Sequence, residues 1–389
     1  MNVKPLKAFL PYGRQWLDGT DVRMVLQSLR CDLITQGPRV QEFEEKVARY
    51  CGAKYAVAFS SGTAALHGAS YAAGISEGSE AITSPISFVA TSNCILFQQG
   101  TPVFADILPD TLNLDPREVI KKITKKTKAI IAVDFSGHPA DLMKLKQIAS
   151  KHQLMLIEDA AHAFGAKIHG RKVGSFADIT IFSFHPVKHI TTGEGGMAVT
   201  SNPEIYKKLL SFRSHGVVRS KALSEKYGAW YYEVQDLGYN YRITDIQCAL
   251  GISQLKKIDK FISRRRELAA RYRKNLSAVK EIQLPVEKAG YRSSYHLFVI
   301  RLRLEKLTAT RRKIFDILRS YQVGVNVHYI PIHLQPYYCT RFGFQPGDFP
   351  VAEAYYETAI SLPLFPEMKN KDADQVSAIV KSVIESCKK

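Results

Sequence analysis

From Tyr55 to Thr200 short apolar runs alternate with helical patterns, and this alternation restricts the possible fold more than any other feature of the chain. The runs Tyr55–Phe59, Ala81–Thr83, Pro102–Asp106, Ala129–Asp134, Leu154–Ile157, Asp178–Phe182 and Gly196–Thr200 read as buried strands. Helical patterns lie between them, from Gly62 to Ala73, Ser87 to Gln98 and Asp141 to Lys151. An arm containing Pro5, Pro11 and Gly13 precedes them, followed by helices over Gly19–Leu29 and Arg39–Tyr50. Strands alternating with helices predict an α/β fold, a mostly parallel sheet covered by helices on both faces. Beyond Arg242 the pattern changes. One long amphipathic helix is expected from Thr244 through Ile262 to Leu276, then a strand at Leu297–Leu302, a helix at Arg311–Ser320 and a strand at Val323–His328. The expected division is residues 1–255 for the arm and large domain and 256–389 for a linking helix and a smaller α+β domain.

The chain of 389 residues carries a formal charge of +18, and residues 251–389 supply most of it with 25 basic against 13 acidic side chains. Such an excess favours anionic partners. At 46% hydrophobic and 23% charged the sequence supports a large core, which excludes a disordered or fibrous chain. The first ten residues have no apolar stretch of secretory length, and no window approaches 18 apolar residues. The six cysteines are scattered without a Cys-x-x-Cys pair, which suits a reduced cytoplasmic protein and no zinc site. His328 and His333 have no carboxylate between them, so no metal is expected.

In parallel sheets ligands bind beyond the carboxyl ends of the strands, so the polar residues there are the candidates. Ser61-Gly62-Thr63 stands where a strand turns into a helix, and free N–H groups at a helix start attract phosphate. The same residues also suit an ordinary N-cap. Asp159 ends an apolar strand, where a carboxylate is costly without a cation or donors. A protonated pyridine nitrogen is one such cation; a loop-capping role is the alternative. Lys188 ends the constrained turn Ser183-Phe184-His185-Pro186-Val187-Lys188, a fixed placement that a Schiff-base lysine needs, although a surface turn also accommodates a lysine. Gly193-Glu194-Gly195-Gly196-Met197-Ala198 formally fits a dinucleotide fingerprint, but a strand follows it rather than a helix. Arg264-Arg265-Arg266 reads as a solvated helix face.

Together with Gly238-Tyr239-Asn240-Tyr241-Arg242 and Glu158-Asp159-Ala160-Ala161-His162-Ala163, these motifs resemble the DegT-type nucleotide-sugar aminotransferases, pyridoxal phosphate enzymes of fold type I. The resemblance covers nearly the whole chain. It implies pyridoxal 5'-phosphate in a Schiff base with Lys188, which would also shuttle protons, and Asp159 on the pyridine nitrogen. Ser61, Gly62, Thr63 and Ser183 would hold the phosphate, Phe88 would stack on the ring, and His162 would lie near its phenolic oxygen. Asn240 would reach the phosphate of the neighbouring subunit, making a homodimer with shared active sites.

Val327-His328-Tyr329, Arg213-Ser214-His215-Gly216 and the run from His185 to Gly196 look most like one subgroup, the C4 aminotransferases of the pseudaminic acid pathway. The implied reaction moves the amino group of L-glutamate to a UDP-linked 2-acetamido-2,6-dideoxy-4-keto-L-hexose. Tyr12, Asp32, Leu33, Ile34, Thr35, Asn326, Val327, His328 and Tyr329 correspond to its substrate segments, with Asn326 in place of an expected Gln. Arg242 is a candidate for the glutamate carboxylate or for an ion pair between subunits. Two alternatives stand beside this reading. One is a related enzyme acting on a different UDP- or dTDP-keto sugar. The other is a nucleic-acid-binding regulator with an aminotransferase-like fold, for which no helix-turn-helix fits before the sheet begins. The preferred reading has no nucleic acid and no membrane among its partners.

Overall fold

In the computed structural model, which describes residues 3–389, seven strands form one central sheet. They are β1 (Tyr55–Phe59), β2 (Glu80–Thr83), β3 (Thr101–Phe104), β4 (Thr127–Val133), β5 (Met155–Asp159), β6 (Ile179–Ser183) and β7 (Gly196–Thr200). Their spatial order is β1-β7-β6-β5-β4-β2-β3, and β7 alone runs antiparallel to both of its neighbours. The sheet is therefore mostly parallel, as the alternation predicts.

Period-two alternation sends successive side chains to opposite faces. Val57 and Phe59 of β1 pack in one core with α3 (Gly62–Ala72), α4 (Ala90–Phe97) and α6 (Pro203–Arg213). Ala56 and Ala58 pack in another, with α2 (Pro38–Cys51) and α7 (Asp245–Leu255), while α5 (Leu142–Lys151) covers a third. Helix starts are capped by side chains, by Asp18 before α1 (Gly19–Leu29) and, as the sequence suggests, by Ser61 before α3. The start of α2 has only Gly37 in the cap position. Its donors are met from a distance, by the buried Asp245 carboxylate, which accepts from Gly37 N at 2.7 Å and Arg39 N at 2.8 Å.

The C-terminal sheet is antiparallel, with β8 (Ile282–Gln283), β9 (Phe298–Leu302) and β10 (Ala359–Leu362) in that order. It packs with α8 (Ile258–Leu276), α9 (Arg311–Ser320) and α10 (Asn370–Ser386). Helix α8 joins the two regions: Ile258, Phe261 and Ile262 lie in the core beneath the large sheet, and Leu268, Ala269, Tyr272 and Leu276 in the small core. From the other end of the chain, Val3, Leu6 and Leu10 pack on the small core as well.

Four local expectations are corrected. The helix expected from Ser87 begins at Ala90, because residues 85–89 form the loop that carries Phe88. The long helix from Thr244 breaks at Lys256 and Lys257, where no Gly or Pro signals it; the Lys257 amine is drawn to Asp21 at 2.6 Å and Asp18 at 3.1 Å. Val323–His328 is no strand. Its backbone pairs in single bridges with two different segments, Val323 with Leu10 and Asn326 with Ser361. Finally, Arg264–Arg266 is not a solvated face, since Arg265 is fully buried.

Arg213 fixes α6 and α2 to β1. Its Nη1 donates to Glu44 Oε1 at 2.5 Å and Ala58 O at 3.0 Å, and the same carboxylate oxygen accepts from Ala58 N at 2.8 Å. Burial pushes the Glu44 carboxyl up and Arg213 opposes that shift. Arg213→Met should lower the unfolding free energy by about 3 kcal/mol, because it strands a buried carboxylate. Urea titrations should show the deficit shrinking as pH falls and Glu44 takes up a proton.

Candidate active site

A cavity of about 440 Å³ opens at the carboxyl ends of β1, β5 and β6, where the topology leads a ligand site to be expected. Three of its walls come from the strand-end motifs. At the first, the Ser61 hydroxyl caps α3 by accepting from Ala64 N at 3.0 Å. The amides of Gly62 and Thr63 and the Thr63 hydroxyl are then left at the helix start, where the helix dipole favours an anion. A side chain on Gly62 would come within 3.0 Å of Ser183 Cβ, so glycine keeps this corner open. Gly196, at the start of β7, lies directly behind it. A Cβ there would stand 2.3 Å from Ser61 O and 2.6 Å from Gly62 N.

Asp159 forms the floor. Its Oδ2 accepts from Thr91 Oγ1 at 2.6 Å and its Oδ1 from Ala161 N at 3.2 Å, while Ser87 Oγ lies 2.6 Å from the Thr91 hydroxyl. Burial raises the Asp159 carboxyl above its ordinary value; these donors and Lys188 oppose the rise without cancelling it. The next carboxyls, Glu158 and Asp134, are wholly buried. Glu158 accepts from Thr180 Oγ1 at 2.6 Å, and burial lifts it to about 7 and Asp134 well above its usual value. Burial thus drives both of those carboxyls toward their protonated forms, and Asp159 is the one of the three that faces the cavity.

Lys188 lies across from it on the turn after β6, closed by Lys188 N donating to His185 O at 2.9 Å. Burial lowers its amine to about 8, against the pull of Asp159 and with help from Arg265. Neutral imidazoles surround it. His162 Nε2 lies 3.1 Å from Tyr329 OH, and its Nδ1 is buried without a partner among the described residues. His328 contacts Ser361 Oγ at 2.8 Å through Nδ1, and burial lowers it to about 3. Phe88, 57% exposed, turns its ring toward the cavity 6.1 Å from Tyr329.

Of the residues expected to hold cofactor, all but Asn240 line this cavity. Of those expected to hold substrate, Tyr12, Asn326, Val327, His328 and Tyr329 line it. Asp32, Leu33, Ile34 and Thr35 are exposed and outside it, as is Asn240, and Arg242 is half-buried outside it. Sequence reasoning gave no role to Thr91, Ser87 or His296. The Ser87/Thr91 spacing of four was the available signal for the first two; nothing local marks His296.

The sequence model of the DegT/DnrJ/EryC1/StrS aminotransferase family matches residues 16–381. The chain belongs to that family. It is 40% identical to the spore coat polysaccharide biosynthesis protein SpsC of Bacillus subtilis, and 36% identical to the UDP-4-amino-4,6-dideoxy-N-acetyl-beta-L-altrosamine transaminase of Campylobacter jejuni. Each alignment covers 98% of this chain and 99% of the relative. Among solved structures, Helicobacter pylori PseC, an aminotransferase involved in the biosynthesis of pseudoaminic acid, superposes with a TM-score of 0.90 at 34% identity, over 97% of this chain and all of its own. A putative sugar aminotransferase of Streptococcus pneumoniae, known in PMP and PLP forms, superposes in its PMP form with a TM-score of 0.92 at 30% identity, over 97% and 99%.

The protein is therefore a sugar aminotransferase of fold type I, with pyridoxal phosphate as cofactor. The cavity fits that cofactor: an anion seat at the start of α3, a buried carboxylate lacking a full set of donors, an amine opposite, and an unpartnered His162 Nδ1. Among the described residues there is no cluster of His, Cys, Asp or Glu suited to a metal, and no helix long and apolar enough to cross a membrane.

Thr91→Val removes a hydrogen bond to a charged group, a change of about 1.5–3 kcal/mol. Equilibrium dialysis should show cofactor affinity at neutral pH falling by roughly tenfold or more. The acid limb of binding should move to higher pH, since affinity is lost as pH falls through the raised Asp159 value.

Proposed function

We propose that this enzyme transfers the amino group of L-glutamate to C4 of a UDP-linked 2-acetamido-2,6-dideoxy-4-keto-L-hexose, giving UDP-4-amino-4,6-dideoxy-N-acetyl-β-L-altrosamine for pseudaminic acid biosynthesis. The observation that carries the chemistry is the pairing of a near-neutral lysine with a buried carboxylate across one cavity. The Campylobacter and Helicobacter relatives support the sugar. Bound pyridoxal phosphate supplies an electron-poor ring that accepts the electron pair left when the donor's Cα–H bond breaks.

The residues of the chain do the rest. Gly62, Thr63 and Ser183 anchor the phosphate, Ser61 shapes that seat as the helix cap, and Phe88 covers one face of the ring. Asp159 keeps the ring nitrogen protonated, and His162 donates or accepts at the phenolic oxygen. Lys188 would take the proton from the donor's Cα as general base and deliver it to the cofactor's C4′ as general acid, a role for which a value of about 8 is well placed. Tyr12, Asn326, Val327, His328 and Tyr329 form the wall where the sugar binds.

Asn240, Arg242 and the segment Asp32–Thr35 lie outside the cavity of their own chain. That exposure supports a homodimer in which a second copy supplies them. The domain division falls after residue 255, at the break between α7 and α8. Six free cysteines, one of them exposed, suit a cytoplasmic enzyme. A second reading, transfer to a different keto sugar, draws support from the 40% identity to the spore coat protein, above that to the altrosamine transaminase.

Purified enzyme with glutamate and a panel of UDP-4-keto sugars, read by mass spectrometry, tests the assignment. Amination of the L-configured keto sugar is expected; failure there with turnover of another moves the function to the second reading. Lys188→Ala should lose about a thousandfold or more in kcat, and retention of normal rates would overturn the mechanism.

A further inference from the structure

Arg265 is a fully buried cation without a counter-ion. Its neighbours on α8 are both paired with carboxylates, Arg264 with Glu267 at 2.7 Å and Arg266 with Glu287 at 2.6 Å. Arg265 makes no ion pair among the described residues. Its guanidinium meets only backbone carbonyls: Nη1 donates to Leu364 O at 2.8 Å, His296 O at 3.2 Å and Tyr295 O at 3.4 Å, and Nη2 to Val187 O at 3.4 Å. Nε has no partner among the described residues. Taking such a charge out of water is expensive, and an apolar side chain of similar volume would fill the space at lower cost. Burial pushes the guanidinium down, but from an ordinary value so high that it stays charged at neutral pH.

The carbonyls it gathers are informative. Val187 immediately precedes Lys188 in the turn after β6. Tyr295 and His296 lead into β9, and Leu364 follows β10. One side chain, itself outside the cavity lining, thus joins the lysine-bearing turn to two segments that flank strands of the C-terminal sheet. We propose that Arg265 is a positioning residue for Lys188, holding its turn against the C-terminal region and setting an unpaired positive charge behind its amine.

The other groups facing that amine act differently. Asp159 favours the ammonium form, while His162, His296 and His328, together with His189 beside Arg265, are kept neutral by burial. Arg265 is then the permanent cation that opposes Asp159. Burial does most to lower the amine, and Arg265 adds to that while offsetting part of the pull of Asp159.

This proposal rests on Lys188 being the amine that takes the cofactor, and its test separates the two. Cofactor-stripped protein is mixed with pyridoxal phosphate across a pH series and reduced with borohydride, and the modified peptide is quantified. In the parent the label should fall on Lys188 with a midpoint near the value of about 8. Arg265→Gln should raise that midpoint by roughly one pH unit, the usual effect of removing a like charge nearby. Arg265→Lys keeps the charge but not the fan of bonds. Its midpoint should stay with the parent's while kcat falls about tenfold and KM for glutamate is unchanged.

A folded Arg265→Gln protein with the parental midpoint overturns the proposal and leaves the Lys188 reading intact. If the Gln variant does not fold, an Arg265→Lys enzyme with parental kcat overturns it instead. Labelling elsewhere than Lys188 in the parent overturns both readings.

Discussion

A carboxylate buried at the end of a parallel strand is tolerable only when something answers its charge, and Asp159 sets that condition for the rest of the site. Two donors, Thr91 and the Ala161 amide, are not enough to bring its proton affinity back to normal. Burial pushes the neighbouring carboxyls Glu158 and Asp134 toward their protonated forms, so they compete less for a cation. The remaining deficit faces a cavity, where the protonated nitrogen of the cofactor would answer it in the proposed function. In the same proposal the other walls would position that ring, with an anion seat at the start of α3, the Lys188 amine opposite and Phe88 at the cavity's edge.

The fold supplies these walls through its connections. Parallel strands must return through crossover connections, helical before β5 and a small hairpin between β5 and β6, which brings the carboxyl ends of β1, β5 and β6 together at one edge. Glycine is required where walls meet backbone to backbone, most sharply at Gly196, whose lack of a side chain lets β7 pass against the Ser61–Gly62 peptide. The C-terminal region closes the cavity from the other side with the segment from Asn326 to Tyr329, held to β10 by the backbone bridge between Asn326 and Ser361 and by His328 on the Ser361 hydroxyl.

Much of this was legible in the sequence because it depends on short-range patterns. The strands appear as apolar runs, and their ends carry Ser61, Asp159 and Lys188. What escaped depends on contacts between distant segments. Thr91 matters only because α4 sits beside the end of β5. Val323–His328 has the residues of a strand but shares its backbone bonds between the arm and β10. Arg265 sits in a run of three arginines whose composition indicates a wet surface, and only the packing of α8 between two cores buries it. The glycine-rich run from Gly193 fits a nucleotide motif formally; its last glycine, Gly196, instead begins a strand and lies behind the Ser61–Gly62 peptide. The basic excess of the C-terminal region is partly such structural arginine, with the rest on the surface.

The central claim is that Asp159 holds a proton on the nitrogen of the bound ring. The most direct measurement is the chemical shift of a ¹⁵N-labelled pyridine nitrogen in enzyme loaded with labelled pyridoxal phosphate, in the parent and in Asp159→Ala. The account predicts a protonated nitrogen in the parent at neutral pH and an unprotonated one in the variant. The same shift in both proteins would contradict it.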